Sequence, residues 1–307
     1  MALLPPSATD EQCELITDES LWPGVKALCA ELGHGAERIT KFTEGSLPVY
    51  DLGDGLVLKL YPVADIDDLA TEEPVMRALH GRLPVPTPEV VATGRFDDWG
   101  YLLMTKLPGR DLRSLWPALD QDAKRSLARS AGEALAVLHE VPAPPIGPPD
   151  WDRFIKGQRH TAVERQERAK LDPYWLRQIP DFLDSVELDP VPSVLLHTEF
   201  SDAHLLAAPR DGGLALTGLF DFEPAMCGHP DYDLLAPGVF LARGDKAVWR
   251  EFLHGYGVRT EQAPGLARRV MAYALLHRFA NLPWSFKTIP APGIGTLDDL
   301  ADHWLGI

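Results

Sequence analysis

The sequence predicts an α+β protein of two lobes, in which a small lobe with an antiparallel sheet precedes a larger helical lobe. Apolar and polar residues alternate with period two over residues 39–61 and again over 89–106, as they do in half-buried strands. After residue 107 the apolar residues follow helical spacing instead. A chain of 307 residues can fill two cores, and we place the lobes at 1–107 and 108–307.

The N-terminal lobe is predicted to contain five strands and two helices. Three short strands are separated by turns at residues 44–46 and 53–55, where glycines permit sharp changes of direction. The prolines of residues 83–88 keep that segment extended. The predicted order is a helix at 21–33, three strands within 39–61, a helix at 67–80, and strands at 89–95 and 99–106.

The second lobe is predicted to be mostly helical. The proline-rich residues 141–150 form a loop, and two short strands at 194–196 and 216–220 are expected to flank a turn at 209–213. Helices are expected at 121–140, from 151 to about 188, and from 234 onward. The crevice between two such lobes is the usual place for a small-molecule site.

Composition narrows the class of partner. The chain carries 29 Lys and Arg against 45 Asp and Glu, so its net charge of −16 disfavours nucleic acid and favours cationic ligands. No stretch is apolar enough to span a membrane, and the first residues lack the basic region of a signal peptide. Three widely spaced cysteines are typical of reduced thiols, so we expect a cytoplasmic protein, monomeric or homodimeric.

One cation interrupts an otherwise apolar predicted strand. Lys59 lies within the run Leu-Val-Leu-Lys-Leu, where a lysine either reaches the strand edge or is held inside by an anion. Glu72, thirteen residues later on the next predicted helix, could supply that anion, and Glu73 competes with it.

A second polar cluster lies between apolar runs in residues 195–206. It contains His197, Glu199 and His204, which could be interpreted as a zinc site. The helical i, i+4 histidine pair of zinc proteases is missing, however. The same three side chains could instead shuttle protons, because histidine titrates near neutral pH.

Two aspartates follow the cluster in distinct settings. Asp221 ends an apolar strand, seventeen residues after His204, which points to function, although aspartate is also common in turns. Asp233 precedes an apolar helical run and is interpreted as a structural cap or loop anchor.

The order of these motifs resembles the aminoglycoside phosphotransferase family, the small-molecule branch of the protein-kinase-like fold. Among its members, the hygromycin B phosphotransferases look most similar. The resemblance covers residues 36–285. It is carried in chain order by VLKLYP, LPVPTP, YLLMTKLPGRDL, AVLHEVP, HTEFSDAHLL and GLFDFEPAMCGHPDYDLL.

The resemblance implies ATP- or GTP-dependent phosphorylation of a small-molecule hydroxyl. Its biological role would be either antibiotic resistance or biosynthesis. By that resemblance Lys59 binds the α and β phosphates, Glu72 positions it, and Asp221 holds Mg²⁺. The turn with Gly45 and Ser46 covers the phosphates, and residues 104–106, including Met104 and Lys106, offer backbone hydrogen bonds to the base.

Two positions depart from the family pattern. Glu199 stands where the family has an aspartate as catalytic base, which moves the carboxylate oxygens by about 1 Å and can cost on the order of 10²-fold in rate. His204 stands where the family has a metal-binding asparagine. Imidazole suits Mg²⁺ poorly, and Mn²⁺ or zinc tolerates it better.

These departures leave three interpretations of the chemistry open. The protein is a working kinase with Asp221 as main metal ligand, or its pocket was repurposed for acid–base dehydration, addition or cyclisation by His197, Glu199 and His204. The third interpretation is a pseudokinase that binds nucleotide without turnover.

The acceptor is expected in the second lobe, between walls formed by residues 151–175 and 266–281. Three acids, Asp202, Glu223 and Asp231, are expected to bind it at the mouth, together with Asp233. That arrangement suits an amine-rich acceptor such as an aminoglycoside. The aromatic residues Trp151, Tyr174, Trp175 and Trp284 could stack on a sugar or only fill the core.

Overall fold

The computed structural model describes residues 2–35, 38–148, 150–210, 212–258 and 265–307. Its smaller lobe is one antiparallel sheet in the order β1-β2-β3-β5-β4, with a helix inserted after β3. The five strands predicted for this lobe are therefore confirmed, while the boundary at residue 107 stays a prediction. The strands are β1 (Thr40–Lys41), β2 (Val49–Asp51), β3 (Leu56–Tyr61), β4 (Val90–Phe96) and β5 (Trp99–Thr105).

Strand β3 is buried on both faces, which explains its nearly continuous apolar sequence. Helix α2 (Asp18–Glu31), which follows the short α1 (Asp10–Glu14), covers the face that carries Leu58 and Leu60. Helix α3 (Ile66–Leu79) covers the face that carries Val57 and Tyr61. Because side chains alternate along a strand, Lys59 points to the same side as Val57 and Tyr61, toward α3 and the second lobe.

The second lobe is helical, as predicted. Its longest helix, α5, packs closely on α9, and a Cβ at Gly132 would lie 2.1 Å from the Phe252 carbonyl oxygen of α9. Glycine is therefore required at this crossing. The helices are α4 (Leu112–Leu115), α5 (Gln121–Glu140), α6 (Trp151–Arg168), α7 (Pro173–Leu176), α8 (Ile179–Ser185), α9 (Lys246–Tyr256), α10 (Leu266–Leu276), α11 (Leu282–Thr288) and α12 (Leu297–Leu305).

The strands of the second lobe differ from the prediction. β7 (Val194–Leu196) pairs with β10 (Met226–Gly228), and the strands on either side of the turn are β8 (Leu205–Arg210) and β9 (Gly213–Leu219). β6 (Arg110–Asp111) adds to β8. Strand β8 was not predicted, because its Ala-Ala-Pro-Arg sequence lacks the β-branched residues typical of strands.

Parts of three predicted segments lie outside the described residues: residue 149 of the proline-rich loop, Asp211 of the turn, and residues 259–264 of the C-terminal helices. Within the described part of the chain, none of the helices is long and apolar enough to cross a membrane.

Candidate active site

A cavity of about 740 Å³ lies between the lobes and is open to solvent. The sheet of the first lobe forms its roof, through Val57 and Met104 among others. The loop after β7 and the residues after β9 form its floor, and they present Glu199, His204 and Asp221. The predicted position of the site in the crevice agrees with this arrangement.

Lys59 is the centre of a buried ion-pair network at the base of the crevice. Its side chain is 6% exposed, and its Nζ lies 2.8 Å from Glu72 Oε2, 2.8 Å from Asp221 Oδ1 and 2.6 Å from Glu223 Oε2. Burial would lower the pKa of Lys59, but Glu72 and the other anions raise it well above its ordinary value. The lysine is therefore charged, as phosphate binding requires.

Glu72, rather than Glu73, is the partner of Lys59. The Glu72 carboxylate is 1% exposed, accepts from the Tyr61 hydroxyl, and accepts from the Phe222 backbone N–H over 3.1 Å. Glu73 points outward and pairs with Arg77 at 3.1 Å. Helix α3 thus connects the lysine of the first lobe to the acidic segment of the second.

The loop after β7 is held in an uncommon backbone conformation. Thr198 has a φ of 67°, which is rare for a β-branched residue. Asp233 holds the loop, because its carboxylate accepts the backbone N–H groups of His197 over 2.7 Å and Thr198 over 2.6 Å. His277 Nε2–H donates to the Thr198 carbonyl over 3.1 Å. Such conformations persist at functional sites when the surroundings fix them, and Asp233 is the loop anchor interpreted from the sequence.

Glu199 and His204 face Asp221 from this loop. His204 Nδ1 lies 2.7 Å from the Glu199 carbonyl oxygen, which can only accept, so Nδ1 carries the hydrogen. The other ring nitrogen, Nε2, faces Asp221 Oδ2, 3.3 Å away. Burial raises the pKa of Glu199. Burial alone would raise the pKa of Asp221, but Lys59 and His204 hold that pKa below its ordinary value.

These side chains fit a divalent cation. Ligand atoms of Glu199, His204 and Asp221 lie within 4.8 Å of one another, and so do those of Glu72, Asp221 and Glu223. The first group mixes oxygen with imidazole nitrogen, as Mn²⁺ accepts, whereas the second is all oxygen, as Mg²⁺ prefers. His197 belongs to neither group, so the described residues do not bring the two histidines together as ligands, which agrees with the missing i, i+4 pair that argued against zinc.

His197 was predicted to be catalytic, but the structure does not bring it to the crevice. It is fully buried, its Nε2–H donates to the Phe220 carbonyl over 3.1 Å, and burial lowers its pKa to about 4. A neutral, enclosed imidazole supports the loop and contacts no substrate. The three-residue proton shuttle considered above therefore loses one of its members.

Two predicted substrate-binding acids are neutralised away from the crevice. Asp202 is fully buried between Arg113, 3.4 Å away, and Arg243. Asp231 pairs with Arg269 over 2.7 Å behind the loop. Both predictions fail because the arginines that pair with these acids are distant in sequence and could not be assigned to them. Glu223, the third predicted acid, does line the crevice, but it binds Lys59, and burial raises its pKa to about 7.

The residues predicted to bind nucleotide line the roof of the cavity. Gly45 and Ser46 form the turn above Lys59, and Ser46 Oγ donates to Glu223 over 3.4 Å. Met104 faces the same space from β5. Lys106 lines the cavity too, but its backbone N–H already donates to the Gly55 carbonyl over 2.8 Å, so a base would have to use its carbonyl.

The outer part of the crevice differs in part from the predicted walls. Of the described residues in 151–175, none lines it, so Trp151, Tyr174 and Trp175 have no place there. The other predicted wall, 266–281, does line it through Ala274 and residues 277–281. Residues 235–240 and 284–285 complete it, and Trp284 is 50% exposed within it. The apolar run of residues 234–242 was interpreted only as helix, and no signal in it indicated a binding surface.

Comparisons with known proteins agree with this fold. Residues 38–272 match the family described as the phosphotransferase enzyme family. A solved GDP complex of wild-type aminoglycoside 2'-phosphotransferase-IIIa is 19% identical, with a TM-score of 0.67, over 90% of this chain and 96% of that one. The apoenzyme of macrolide 2'-phosphotransferase MphH from Brachybacterium faecium is 20% identical, with a TM-score of 0.58, over 88% and 99%.

A third solved structure, a streptomycin–ATP ternary complex of an aminoglycoside phosphotransferase, is 17% identical with a TM-score of 0.57, over 93% of this chain and 92% of that one. No curated protein sequence matches the chain. The greater similarity to hygromycin B phosphotransferases stays a prediction. Because the family match spans most of the chain and the neighbours share its fold, the chain belongs to the phosphotransferase enzyme family and has the protein-kinase-like fold.

Proposed function

We propose that the protein transfers the terminal phosphoryl group of ATP or GTP to a hydroxyl of a polyhydroxylated natural product. The ion-pair network of Lys59 with Glu72 and Asp221 carries the proposal, because it places a fixed cation beside a metal-binding carboxylate at the base of the crevice. Neighbouring phosphotransferases have been solved with GDP and with ATP, which supports a nucleoside phosphate as donor.

In this proposal the first lobe binds the nucleotide. Lys59 contacts the α and β phosphates through Nζ, and Glu72 fixes the direction of that side chain. The turn with Gly45 and Ser46 lies over the phosphates. The base stacks beneath Val57 and beside Met104, whose apolar side chains exclude water from it.

We also propose that the protein works in the cytoplasm, where its three free thiols stay reduced.

Asp221 and His204 are the proposed metal ligands, with Glu223 as a further oxygen donor. A divalent cation bound there supplies charge neutralisation between the nucleotide phosphates. Asp221 is prepared for this role, because its pKa is held low and its two oxygens point to Lys59 and to His204.

Glu199 is the proposed catalytic base. As the acceptor oxygen bonds to phosphorus and the bond to the nucleotide breaks, the hydroxyl proton passes to the Glu199 carboxylate. The raised pKa of Glu199 makes it a better proton acceptor than an ordinary glutamate.

Calorimetric titration with ATP, in Mg²⁺ and then in Mn²⁺, tests the nucleotide site directly. We expect micromolar, metal-dependent binding to the wild type that is lost in Lys59→Ala and in Asp221→Asn. Lys41→Ala and Asp18→Asn are matched controls, because these two residues form an exposed ion pair outside the crevice.

The outcomes separate the three interpretations. Phosphorylation of an acceptor after metal-dependent binding supports the proposal. Metal-dependent binding with no turnover toward any acceptor would indicate a pseudokinase. No nucleotide binding with either metal would rule out the phosphotransferase and point to acid–base chemistry at Glu199 and His204.

A further inference from the structure

The outer half of the crevice, which we call the acceptor wall, is apolar and aromatic. It is formed by residues 235–240 and 277–285. The first of these segments overlaps the π-helical turn Pro237–Ala242. The rings of Phe240 and Trp284 lie 4.9 Å apart between centroids. Trp284 and Phe279 are each 50% exposed. Such a concentration of half-exposed aromatic surface inside a crevice is typical of a binding surface.

The acceptor wall carries no negative charge. Of the described residues at 235–240 and 277–285 that line the cavity, none is acidic. The guanidinium of Arg278 lies 5.0 Å from the centre of the Phe279 ring. The carboxylates that line the crevice lie on its other surfaces. Glu72, Asp221 and Glu223 surround Lys59, and Glu44, Asp111 and Glu199 belong to the glycine turn, to the start of α4 and to the loop after β7.

The acids expected at the mouth cannot supply the missing charge. Asp202 is paired with two arginines and Asp231 with one, as described above. Asp233 accepts backbone hydrogen bonds and lies 3.1 Å from His139 Nε2. The net charge of −16 is therefore not concentrated on the acceptor wall. On the acceptor wall a polyamine would meet aromatic and aliphatic faces, and none of the described wall residues that line the cavity offers a carboxylate to its charges.

We propose that the acceptor is an amphiphilic alcohol, uncharged or singly charged, with a broad apolar face such as that of a macrocyclic lactone or a steroid glycoside. The apolar face packs on Phe240, Trp284 and Phe279, and the reacting hydroxyl points inward to Glu199. Asn281 and Ser285, which also line the wall, hydrogen-bond to further hydroxyls. This inference rests on the proposed phosphotransferase function and defines its substrate class.

Acceptor binding is measured by calorimetry on protein first titrated with a non-hydrolysable ATP analogue and Mn²⁺. The probes are three amphiphilic alcohols (erythromycin, digoxin and a flavonoid glucoside) and three aminoglycosides (kanamycin, gentamicin and hygromycin B). We expect at least one amphiphile to bind at least tenfold more tightly than every aminoglycoside. The titration with the ATP analogue separates this proposal from the proposed phosphotransferase function. If the analogue does not bind, only the nucleotide site is contradicted, and acceptor binding is then measured without the analogue.

Variants connect that binding to the wall. Trp284→Ala is expected to weaken the best amphiphile at least tenfold, and Trp284→Phe to restore most of the loss, because an aromatic face returns. Tyr174→Ala is the matched control, since Tyr174 is 48% exposed but lies outside the crevice. Tightest binding by an aminoglycoside, no binding by any amphiphile, or equal binding by wild type and Trp284→Ala would each overturn the proposal.

Discussion

The carboxylate of Glu72 accepts a hydrogen bond from the backbone N–H of Phe222, 3.1 Å away, and so ties the helix of the first lobe to the segment that follows Asp221. The other oxygen of Glu72 binds Lys59 over 2.8 Å. One buried carboxylate therefore sets both the direction of the lysine and the distance between the lobes at the site.

Glu72→Gln is expected to reduce kcat/KM for nucleotide by about 10- to 100-fold. The amide keeps the shape but loses the charge that holds Lys59, and charge-assisted hydrogen bonds are roughly twice as strong as neutral ones. Steady-state kinetics at varied ATP measures the change. Glu73→Gln is the matched control, being the next residue on the same helix with its side chain paired to Arg77 on the surface. Equal losses in the two variants would falsify the assignment.

Glu199→Gln is expected to reduce kcat by about 10²- to 10⁴-fold, the usual contribution of general base catalysis, with nucleotide affinity unchanged. Glu199→Asp keeps a carboxylate about 1 Å short of its position and should retain more activity than the glutamine variant. Single-turnover phosphorylation and calorimetry separate the two effects, and Glu140→Gln at the exposed end of α5 is the control. A glutamine variant as active as wild type would exclude Glu199 as the base.

His204 is expected to shift metal preference toward Mn²⁺. Because its Nε2 faces Asp221, we expect Mn²⁺ to bind the nucleotide complex at least tenfold more tightly than Mg²⁺, and His204→Asn to narrow that ratio. Electron paramagnetic resonance of bound Mn²⁺ and its displacement by Mg²⁺ give the ratio without reference to turnover. His34→Asn is the control, since His34 pairs with Asp54 over 2.8 Å outside the crevice. A ratio unchanged by His204→Asn contradicts the prediction.

His277 is expected to make the fold less stable in acid. Burial lowers its pKa to about 4, against about 6.5 in the unfolded chain, so between these values the unfolded state binds more protons. The free energy of unfolding is therefore lost as pH falls, by about 2 kcal/mol from this residue between pH 7 and pH 5. Urea unfolding at several pH values measures it. His277→Gln should flatten the curve and His160→Gln, at an exposed position, should not. Identical slopes in all three proteins would show that His277 is not buried as a neutral ring.

The sequence determined the lobes and much of the inner site. Local patterns placed the strands of the first lobe, because alternation and turn residues act over a few positions. A lysine in an apolar strand, a glutamate on the next helix and an aspartate at a strand end made Lys59, Glu72 and Asp221 candidates, while their roles, and Glu72 over Glu73, came from the family resemblance. The structure brings them together although Lys59 and Asp221 are 162 residues apart.

The tertiary structure alone decided which charges remain available to a ligand. In the sequence, Asp202 and Asp231 could not be distinguished from acids of the site. In the structure they pair with Arg243 and Arg269, 41 and 38 residues away, and are not available to a ligand. His197 likewise matched a catalytic motif but is enclosed by the loop it supports. A sequence records where charges and rings occur. Their burial and their partners depend on contacts between distant segments, and those contacts also created the aromatic wall around Phe240 and Trp284.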